Sequence, residues 1–146
     1  MREHKIRDRS DIYGVRHTVR ALAAGVGFPR RACDELAIVV SELGSNILKY
    51  GVRGFISIDA VASAERGIVI VARDFGPPFH DLGMALRDGY DDRGPIDPMT
   101  MMKRGGIGGG LGAVLRFSHA FRVETLADGK KIEVVRYVDR APGQSD

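Results

Sequence analysis

The chain has few of the residue types that mark several common classes of protein. It contains one cysteine, Cys33, and no tryptophan among its 146 residues. A single cysteine excludes an intramolecular disulfide framework and is typical of proteins from reducing compartments. Because Cys33 stands among apolar positions of helical spacing, we interpret it as a small core residue and not as a reactive thiol.

Long apolar runs are also missing. The longest cover residues 36–40 and 68–72, far short of the roughly 20 residues that a membrane-spanning helix needs. The residues that follow Met1 lack the apolar stretch of a signal peptide. We therefore expect a cytoplasmic protein that does not insert into a membrane.

Charge of one sign is not concentrated anywhere in the chain. The net charge is +3, but lysine and arginine are spread along the sequence, and aromatic residues make up only 7%. A nucleic-acid-binding surface therefore has little support, whereas a mild basic excess suits an anionic ligand such as a nucleotide, or an acidic protein partner. The four histidines are scattered, and Asp88, Asp91, Asp92 and Gly94 do not match the spacing of a calcium-binding EF-hand. We expect no metal cage built from protein side chains alone.

What the chain does have is enough apolar sequence for one domain over residues 1–146, with a core of about 10–138 and a frayed tail at 139–146. Apolar periodicity predicts the order β-α-α-β-β-long loop-α-β-β. The predicted strands are 4–9, 55–61, 68–73, 120–126 and 130–138, and the predicted helices are 11–25, 29–50, 81–87 and 113–118. This order favours an α+β two-layer sandwich, with one mixed, mostly antiparallel sheet and helices on one face.

A dense glycine cluster precedes the last predicted helix. Six of the chain's 19 glycines fall within residues 105–112. A glycine loop that opens a helix directs bare N–H groups and a positive dipole end at one place, which suits a phosphate. A flexible surface loop is the alternative. The P-loop pattern is absent, and a dinucleotide fingerprint at Gly108, Gly110 and Ala113 is disfavoured because no strand is predicted before it.

Two further features carry polar side chains beside apolar ones. Glu42 and Asn46 are four residues apart and share one face of the second predicted helix, with Lys49 nearby. They could line a polar pocket, or they could be a solvated helix face. Asp74 ends the apolar strand and is followed by Gly76 in a Gly-Pro turn. An acidic residue there is well placed to meet a ligand, although an ordinary turn has the same composition.

Together, in this order, the three features resemble the Bergerat-type ATP-binding fold shared by gyrase, Hsp90, histidine kinases and MutL. Residues 42–51 are similar to the N box of that superfamily, 74–77 to its first glycine box and 106–112 to its second. The loop segment 88–90 resembles the lid of the switch-kinase branch. The resemblance covers about residues 10–138 and is strongest to the bacterial RsbT/RsbW-type serine kinases that regulate sigma factors.

The resemblance implies an ATP-dependent serine/threonine protein kinase in a partner-switching system. Its substrate would be a STAS-domain antagonist protein, and a sigma factor or a PP2C-type phosphatase would be further partners in a stress response. Relatives of this type also suggest a homodimer. A histidine kinase would need a separate dimerisation and phosphoacceptor domain, and a hydrolysis-driven clamp would need a second domain; 146 residues leave no room for either.

The resemblance also implies roles for individual residues. Asn46 would contact Mg²⁺ through its side-chain oxygen, and Glu42 would act as base or orient the attacking hydroxyl group. Asp74 would accept a hydrogen bond from the adenine amino group, and Gly76 would let the backbone approach the ring. The second box would wrap the phosphates with Gly106, Gly108, Gly110, Leu111 and Gly112.

Three positive side chains are additional candidates for neutralising phosphate charge, and we assign them without support from the resemblance: Lys49, Lys103 and Arg104. One position departs from the family pattern, because Pro78 stands where the first glycine box usually has its second glycine. Proline fixes φ and lacks an N–H, so we expect ATP binding to survive but lid motion to differ. Pro78 therefore favours an alternative function, a binding module whose affinity for a partner is tuned by nucleotide, with weak or no kinase activity.

Overall fold

A computed structural model of the chain describes residues 2–50, 52–79, 82–86, 90–91, 94–95 and 110–140. The strands are β1 Arg2–Lys5, β2 Gly54–Ala60, β3 Gly67–Asp74, β4 Tyr90–Asp91, β5 Gly94–Pro95, β6 Ala120–Leu126 and β7 Gly129–Tyr137. Five of them form one antiparallel sheet in the order β1-β2-β3-β7-β6, and the short strands β4 and β5 pair separately. The helices are α1 Arg9–Val26, α2 Arg30–Tyr50, α3 Leu82–Ala85 and α4 Leu111–Arg116. The α+β class is confirmed.

Helix α1 begins earlier than its apolar pattern predicts. The Asp8 carboxylate accepts hydrogen bonds from the backbone N–H of Asp11 at 3.2 Å and from the Ser10 hydroxyl at 2.6 Å, which caps the first turn. The prediction of a strand over 4–9 was therefore wrong for residues 6–9, because β1 starts at Arg2 and ends at Lys5. At the other end Gly27 adopts a left-handed φ of 118° and its N–H bonds to Ala23 and Ala24 carbonyls, a glycine-dependent stop.

Helix α2 is the main buried element of the helical layer. The carbonyl of Pro29 accepts the N–H of Cys33 at 3.1 Å, so the proline stands at the start of the helix, close to the predicted position. From Leu36 to Ile47 nearly every side chain is buried. Gly44 lets α1 approach closely, because a Cβ there would lie 2.8 Å from Cγ1 of Ile12.

The core lies between the helices and one face of the sheet. Alternate residues of the two central strands point to this face, with Ile68, Ile70 and Ala72 on β3 and Ile132 and Val134 on β7. This alternation is the pattern of a sheet that packs on a core on one side. Asp74 and Lys130 are direct partners in the same pair of strands, so the alternation also brings these two residues to the helical side.

The β6–β7 hairpin turns one residue earlier than predicted. Leu126 pairs with Gly129, so Ala127 and Asp128 form the loop and Gly129 already belongs to β7. A Cβ on Gly129 would collide with the carbonyl oxygen of Asp74 and would lie 2.8 Å from Cα of Phe75. Glycine is therefore required there by the close approach of two chains.

The ends of the predicted elements differ in detail elsewhere. The helix predicted over 81–87 is reduced to Leu82–Ala85, and the helix predicted from 113 begins at Leu111 and ends at Arg116. Asp139 and Arg140, which the sequence assigned to a frayed tail, pair with Arg66 and Glu65; residues 141–146 lie outside the described part. No helix in the described ranges is both long and apolar enough to cross a membrane.

Candidate functional site

The polar pair predicted on α2 lies inside the protein. Glu42 is 2% exposed and Asn46 is 6% exposed, on the face of α2 that carries Leu43 and Ile47 into the core. A solvated helix face is therefore the wrong interpretation for these two residues. Nδ2 of Asn46 has no hydrogen-bond partner among the described residues. A buried amide with unused hydrogen-bonding capacity is costly and fits a position where a ligand binds.

Lys49, the third polar residue of this segment, lies in the last turn of α2 and is exposed. Lys49 therefore differs from Glu42 and Asn46, which are buried, although it lies only one helical turn after Asn46. An exposed ammonium group at a helix end can still reach a ligand that enters from solvent. Its role towards phosphate stays a prediction.

Asp74 forms the centre of a second buried polar group. The residue is 5% exposed, and its Oδ1 accepts hydrogen bonds from the backbone N–H of Gly76 at 2.9 Å and from Nζ of Lys130 at 3.0 Å. Nζ of Lys130 also donates to the carbonyl oxygen of Pro77 at 2.8 Å. The segment after β3 is therefore a turn fixed from within and not an ordinary solvated turn.

The α2 segment and Asp74 are brought together at Gly54. This glycine is the register partner of Asp74 at the start of β2. A Cβ on Gly54 would lie 2.9 Å from Cγ2 of Ile47 and 3.1 Å from Cβ of Asp74. Ile47 follows Asn46 directly, so the last third of α2 and the end of β3 meet at one edge of the core. The structure thus joins two of the three motifs.

The described part of the glycine cluster leads into α4. Gly110 is buried with φ at 69° and ψ at −137°, and Leu111 and Gly112 are buried in the first turn. Helix α4 packs against α2, so this end of the cluster lies beside the N-box helix. The first N–H groups of a helix have no intrahelical acceptor. Four other candidates lie outside the described residues: Lys103, Arg104, Gly106 and Gly108.

The structure describes only part of segment 88–90, which resembles a lid in sequence. Tyr90 belongs to the short strand β4, which pairs with β5, and residues 88 and 89 lie outside the described ranges. No lid position is therefore assigned.

Two arginines hold the residue that follows Asp74. The guanidinium carbons of Arg53 and Arg73 lie 4.7 Å and 4.2 Å from the ring centroid of Phe75. Such cation–π contacts favour a fixed ring position. Arg73 also pairs with Asp128 of the β6–β7 loop at 2.6 Å. The chain therefore leaves β3 in a defined direction before it reaches Gly76.

Sequence reasoning missed Lys130, which is the largest fully buried side chain in the described part. The strand pattern contained a signal for it, because Lys130 stands two residues before Ile132 and four before Val134, on the inward-facing positions of β7. Arg136 continues the same series and is also buried. The burial of Lys130 and Arg136 was not predicted because charged residues in a strand are usually solvent-exposed.

Comparison with known proteins agrees with this arrangement. A model of the histidine kinase-like ATPase domain matches residues 7–136, from the start of α1 to the end of β7. The chain belongs to the histidine kinase-like ATPase family.

Within that family the chain is similar to the serine/threonine-protein kinase RsbT of Bacillus subtilis (strain 168). The two are 29% identical over 130 residues, which are 88% of this chain and 90% of RsbT. The predicted resemblance to the Bergerat superfamily and to its RsbT-type branch is confirmed.

Proposed function

We propose that this member of the histidine kinase-like ATPase family is an ATP-dependent serine/threonine protein kinase of a bacterial partner-switching system. The observation that carries the proposal is the burial of the pair Glu42 and Asn46 on α2, a helix whose Ile47 meets Asp74 of β3 at Gly54. Similarity to RsbT over most of both chains supports the same assignment. The phosphoacceptor would be a serine or threonine of a STAS-domain antagonist protein.

The residues present fit a magnesium nucleotide. Asn46 is a buried amide whose Nδ2 has no hydrogen-bond partner among the described residues, and an N–H donor in this state suits a phosphate oxygen of the nucleotide. Mg²⁺ itself is commonly held by few protein oxygens together with phosphates and water. Asn46 would hold the ion through its side-chain oxygen. When bound, Mg²⁺ neutralises charge on the transferred phosphoryl group.

Glu42 would act on the attacking hydroxyl group of the protein substrate. It lies one helical turn before Asn46 on the same buried face. A carboxylate in that position can orient the hydroxyl or take its proton, which is the general-base role in phosphoryl transfer. The phosphates would be wrapped by the glycine cluster, which enters α4 at Gly110, Leu111 and Gly112.

Asp74 would bind the amino group of the adenine base, and Gly76 would allow the ring to approach the backbone. The hydrogen bond from Gly76 N–H to Oδ1 of Asp74 fixes the carboxylate relative to the turn. Because this acceptor is already fixed, ligand binding loses less conformational entropy in ordering it.

The partners follow from the same proposal. A STAS-domain antagonist would be the substrate, and a sigma factor or a PP2C-type phosphatase would bind the kinase in the other state of the switch. This alternation between partners would regulate a sigma factor in a stress response.

The test is phosphate transfer from labelled ATP to candidate STAS-domain proteins. We expect label on a serine or threonine of one of them, and a Glu42→Gln variant that transfers phosphate roughly 100-fold to 10,000-fold more slowly while binding ATP almost normally. Glu124→Gln is a matched control, because Glu124 is 44% exposed at the side chain on β6 and pairs with Lys131.

The outcomes separate the kinase from its alternative. Transfer by Glu42→Gln at the wild-type rate would remove the role assigned to Glu42. ATP binding without transfer to any candidate, together with a nucleotide-dependent affinity for a partner, would instead support the binding module that Pro78 favours. Pro78 follows the carbonyl that Lys130 holds, so the turn differs from a glycine-rich one at this place.

A further inference from the structure

The burial of Lys130 calls for a functional explanation. The side chain is 1% exposed, and its ammonium group makes an ion pair with Asp74, whose side chain is also buried. Two charges taken from water lose more hydration energy than their attraction readily restores, so such a pair is weak evidence for stability. The pair lies where the proposed function needs a base-binding group.

Lys130 organises the turn that follows β3 through three contacts. Its Nζ donates to Oδ1 of Asp74 and to the carbonyl oxygen of Pro77, and it lies 5.2 Å from the ring centroid of Phe79. The first contact fixes the carboxylate and the other two fix the path of the chain beyond Gly76. Since Pro77 and Pro78 contribute no N–H to hold this segment, a side chain from β7 supplies the donor.

Each partner in the pair has one hydrogen-bonding position that no described residue occupies. Among the described residues, Asp74 accepts hydrogen bonds only at Oδ1, so Oδ2 is available. An ammonium group has three donors, and the described residues accept two of those of Lys130. The pair therefore has one acceptor and one donor without a partner among the described residues.

An acceptor beside a donor is complementary to one edge of adenine. Adenine carries an amino group, which donates, next to ring nitrogen N1, which accepts. Guanine and hypoxanthine carry a carbonyl oxygen and an N1–H at the same places, so both hydrogen bonds would be reversed. Enzymes that read a base by this edge use hydrogen bonds of this kind.

We propose that Lys130 is a specificity-determining residue, which donates a hydrogen bond to N1 of adenine while Asp74 accepts one from the amino group. This inference rests on the proposed ATP site and adds a second base-recognition residue to it. It makes Lys130 and Asp74 one recognition unit, held together across neighbouring strands by the register of β3 and β7.

The first experiment uses the wild-type protein and analogues of ATP. Binding of ATP, 1-deaza-ATP and 7-deaza-ATP is measured by calorimetry with Mg²⁺ present. Replacing N1 by a C–H group removes the proposed acceptor, so we expect 1-deaza-ATP to bind roughly tenfold more weakly than ATP or worse. The 7-deaza analogue measures the general cost of losing a ring nitrogen. A penalty for 1-deaza-ATP no larger than that for 7-deaza-ATP overturns the proposal.

The second experiment assigns the effect to Lys130. In Lys130→Met the difference between ATP and 1-deaza-ATP should disappear, whereas a loss of structure alone would weaken both ligands equally and keep their ratio. Lys131→Met is the matched control, because Lys131 is the next residue on β7 and pairs with Glu124; it should keep the wild-type ratio. A wild-type ratio in Lys130→Met overturns the proposal.

The two proposals fail in different ways. Absence of ATP binding by the wild-type protein overturns both the ATP site and the role of Lys130. ATP binding that does not depend on N1 overturns only the role of Lys130. The wild-type measurements decide this even if the Lys130→Met protein does not fold.

Discussion

Several polar side chains of types that normally face solvent are buried in this protein. Glu42, Asn46, Asp74 and Lys130 are each at least nine-tenths buried, although side chains of these types are mostly solvent-exposed in folded proteins. Each therefore has a cost in folding that a purely structural residue would avoid. The proposed ATP site gives a reason for this cost, because it uses all four side chains.

Cys33, in contrast to these four residues, is a buried residue whose side chain is expected to be unreactive. Burial raises the pKa of the Cys33 thiol, and the nearby carboxylate of Asp34 raises it further. A raised pKa lowers the fraction of thiolate at pH 8, and the thiolate is the form that reacts.

We therefore expect iodoacetamide to alkylate Cys33 in the folded protein on the order of 100-fold more slowly than in urea, because reaction must wait for local opening. Mass spectrometry against time measures both rates at the same pH. Equal rates in the two conditions would contradict the assignment of Cys33 as a core residue.

At the scale of elements, the close packing of α1 on α2 depends on a glycine inside a helix. A Cβ at Gly44 would be 2.8 Å from Cγ1 and 3.1 Å from Cδ1 of Ile12, whereas a Cβ at Gly14 would meet nothing within 4 Å. Both glycines lie within helices, so the same substitution isolates the effect of packing.

Gly44→Ala should lower the free energy of unfolding by about 1–3 kcal/mol, because the helices must move apart. Gly14→Ala should raise it by about 0.5–1 kcal/mol, because alanine is the better helix former. Urea unfolding monitored by circular dichroism measures both variants. Stabilisation by both substitutions would show that α1 has room to shift away from Gly44.

The elements that could be predicted from sequence are those whose burial follows one period. Helix α2 and strand β3 were placed within a residue of their observed bounds, because Leu36, Val39, Leu43 and Ile47 repeat at helical spacing and residues 68–72 form an apolar run. The first predicted strand was wrong over residues 6–9 because a local cap at Asp8 outweighed the weak strand pattern.

The candidate site was predictable only where its residues lie in a motif. Glu42, Asn46 and Asp74 could be assigned from their order and spacing, and the structure buries all three. The alternation of β7 indicates that Lys130 faces inward, but its place beside Asp74 could not be predicted, because it depends on the register between β3 and β7, which pairs the two residues across 56 positions of the chain. The register between two strands is a property of the folded sheet and cannot be predicted from a short segment of either strand.

At the scale of the whole molecule, an ion pair joins the helical layer to the sheet. Nη2 of Arg136 on β7 lies 2.8 Å from Oε1 of Glu35 on α2, and Nη1 donates to the carbonyl oxygen of Phe117 at the end of α4, 3.5 Å away. The two side chains are 5% and 14% exposed. One guanidinium group on β7 thus contacts both α2 and the end of α4. The contact with α2 is in its N-terminal part, whereas Asn46 lies near its C-terminal end.

Removing both members of this pair should cost less than the sum of removing each one alone. Arg136→Met alone leaves the mostly buried Glu35 carboxylate with the longer pair to the exposed Arg31, at 3.8 Å, and should lower the free energy of unfolding by about 2–4 kcal/mol. The double variant with Glu35→Leu should lose clearly less than the sum of the two single changes. Arg122→Met is the control, because Arg122 pairs with Glu133 at 3.8 Å on the exposed side of the sheet and should cost less than about 1 kcal/mol. Urea unfolding of the four proteins of the cycle and of the control gives the coupling energy. Additive losses in the cycle would mean that Arg136 acts through its packing, and that the two layers are held together by the apolar core without help from the ion pair.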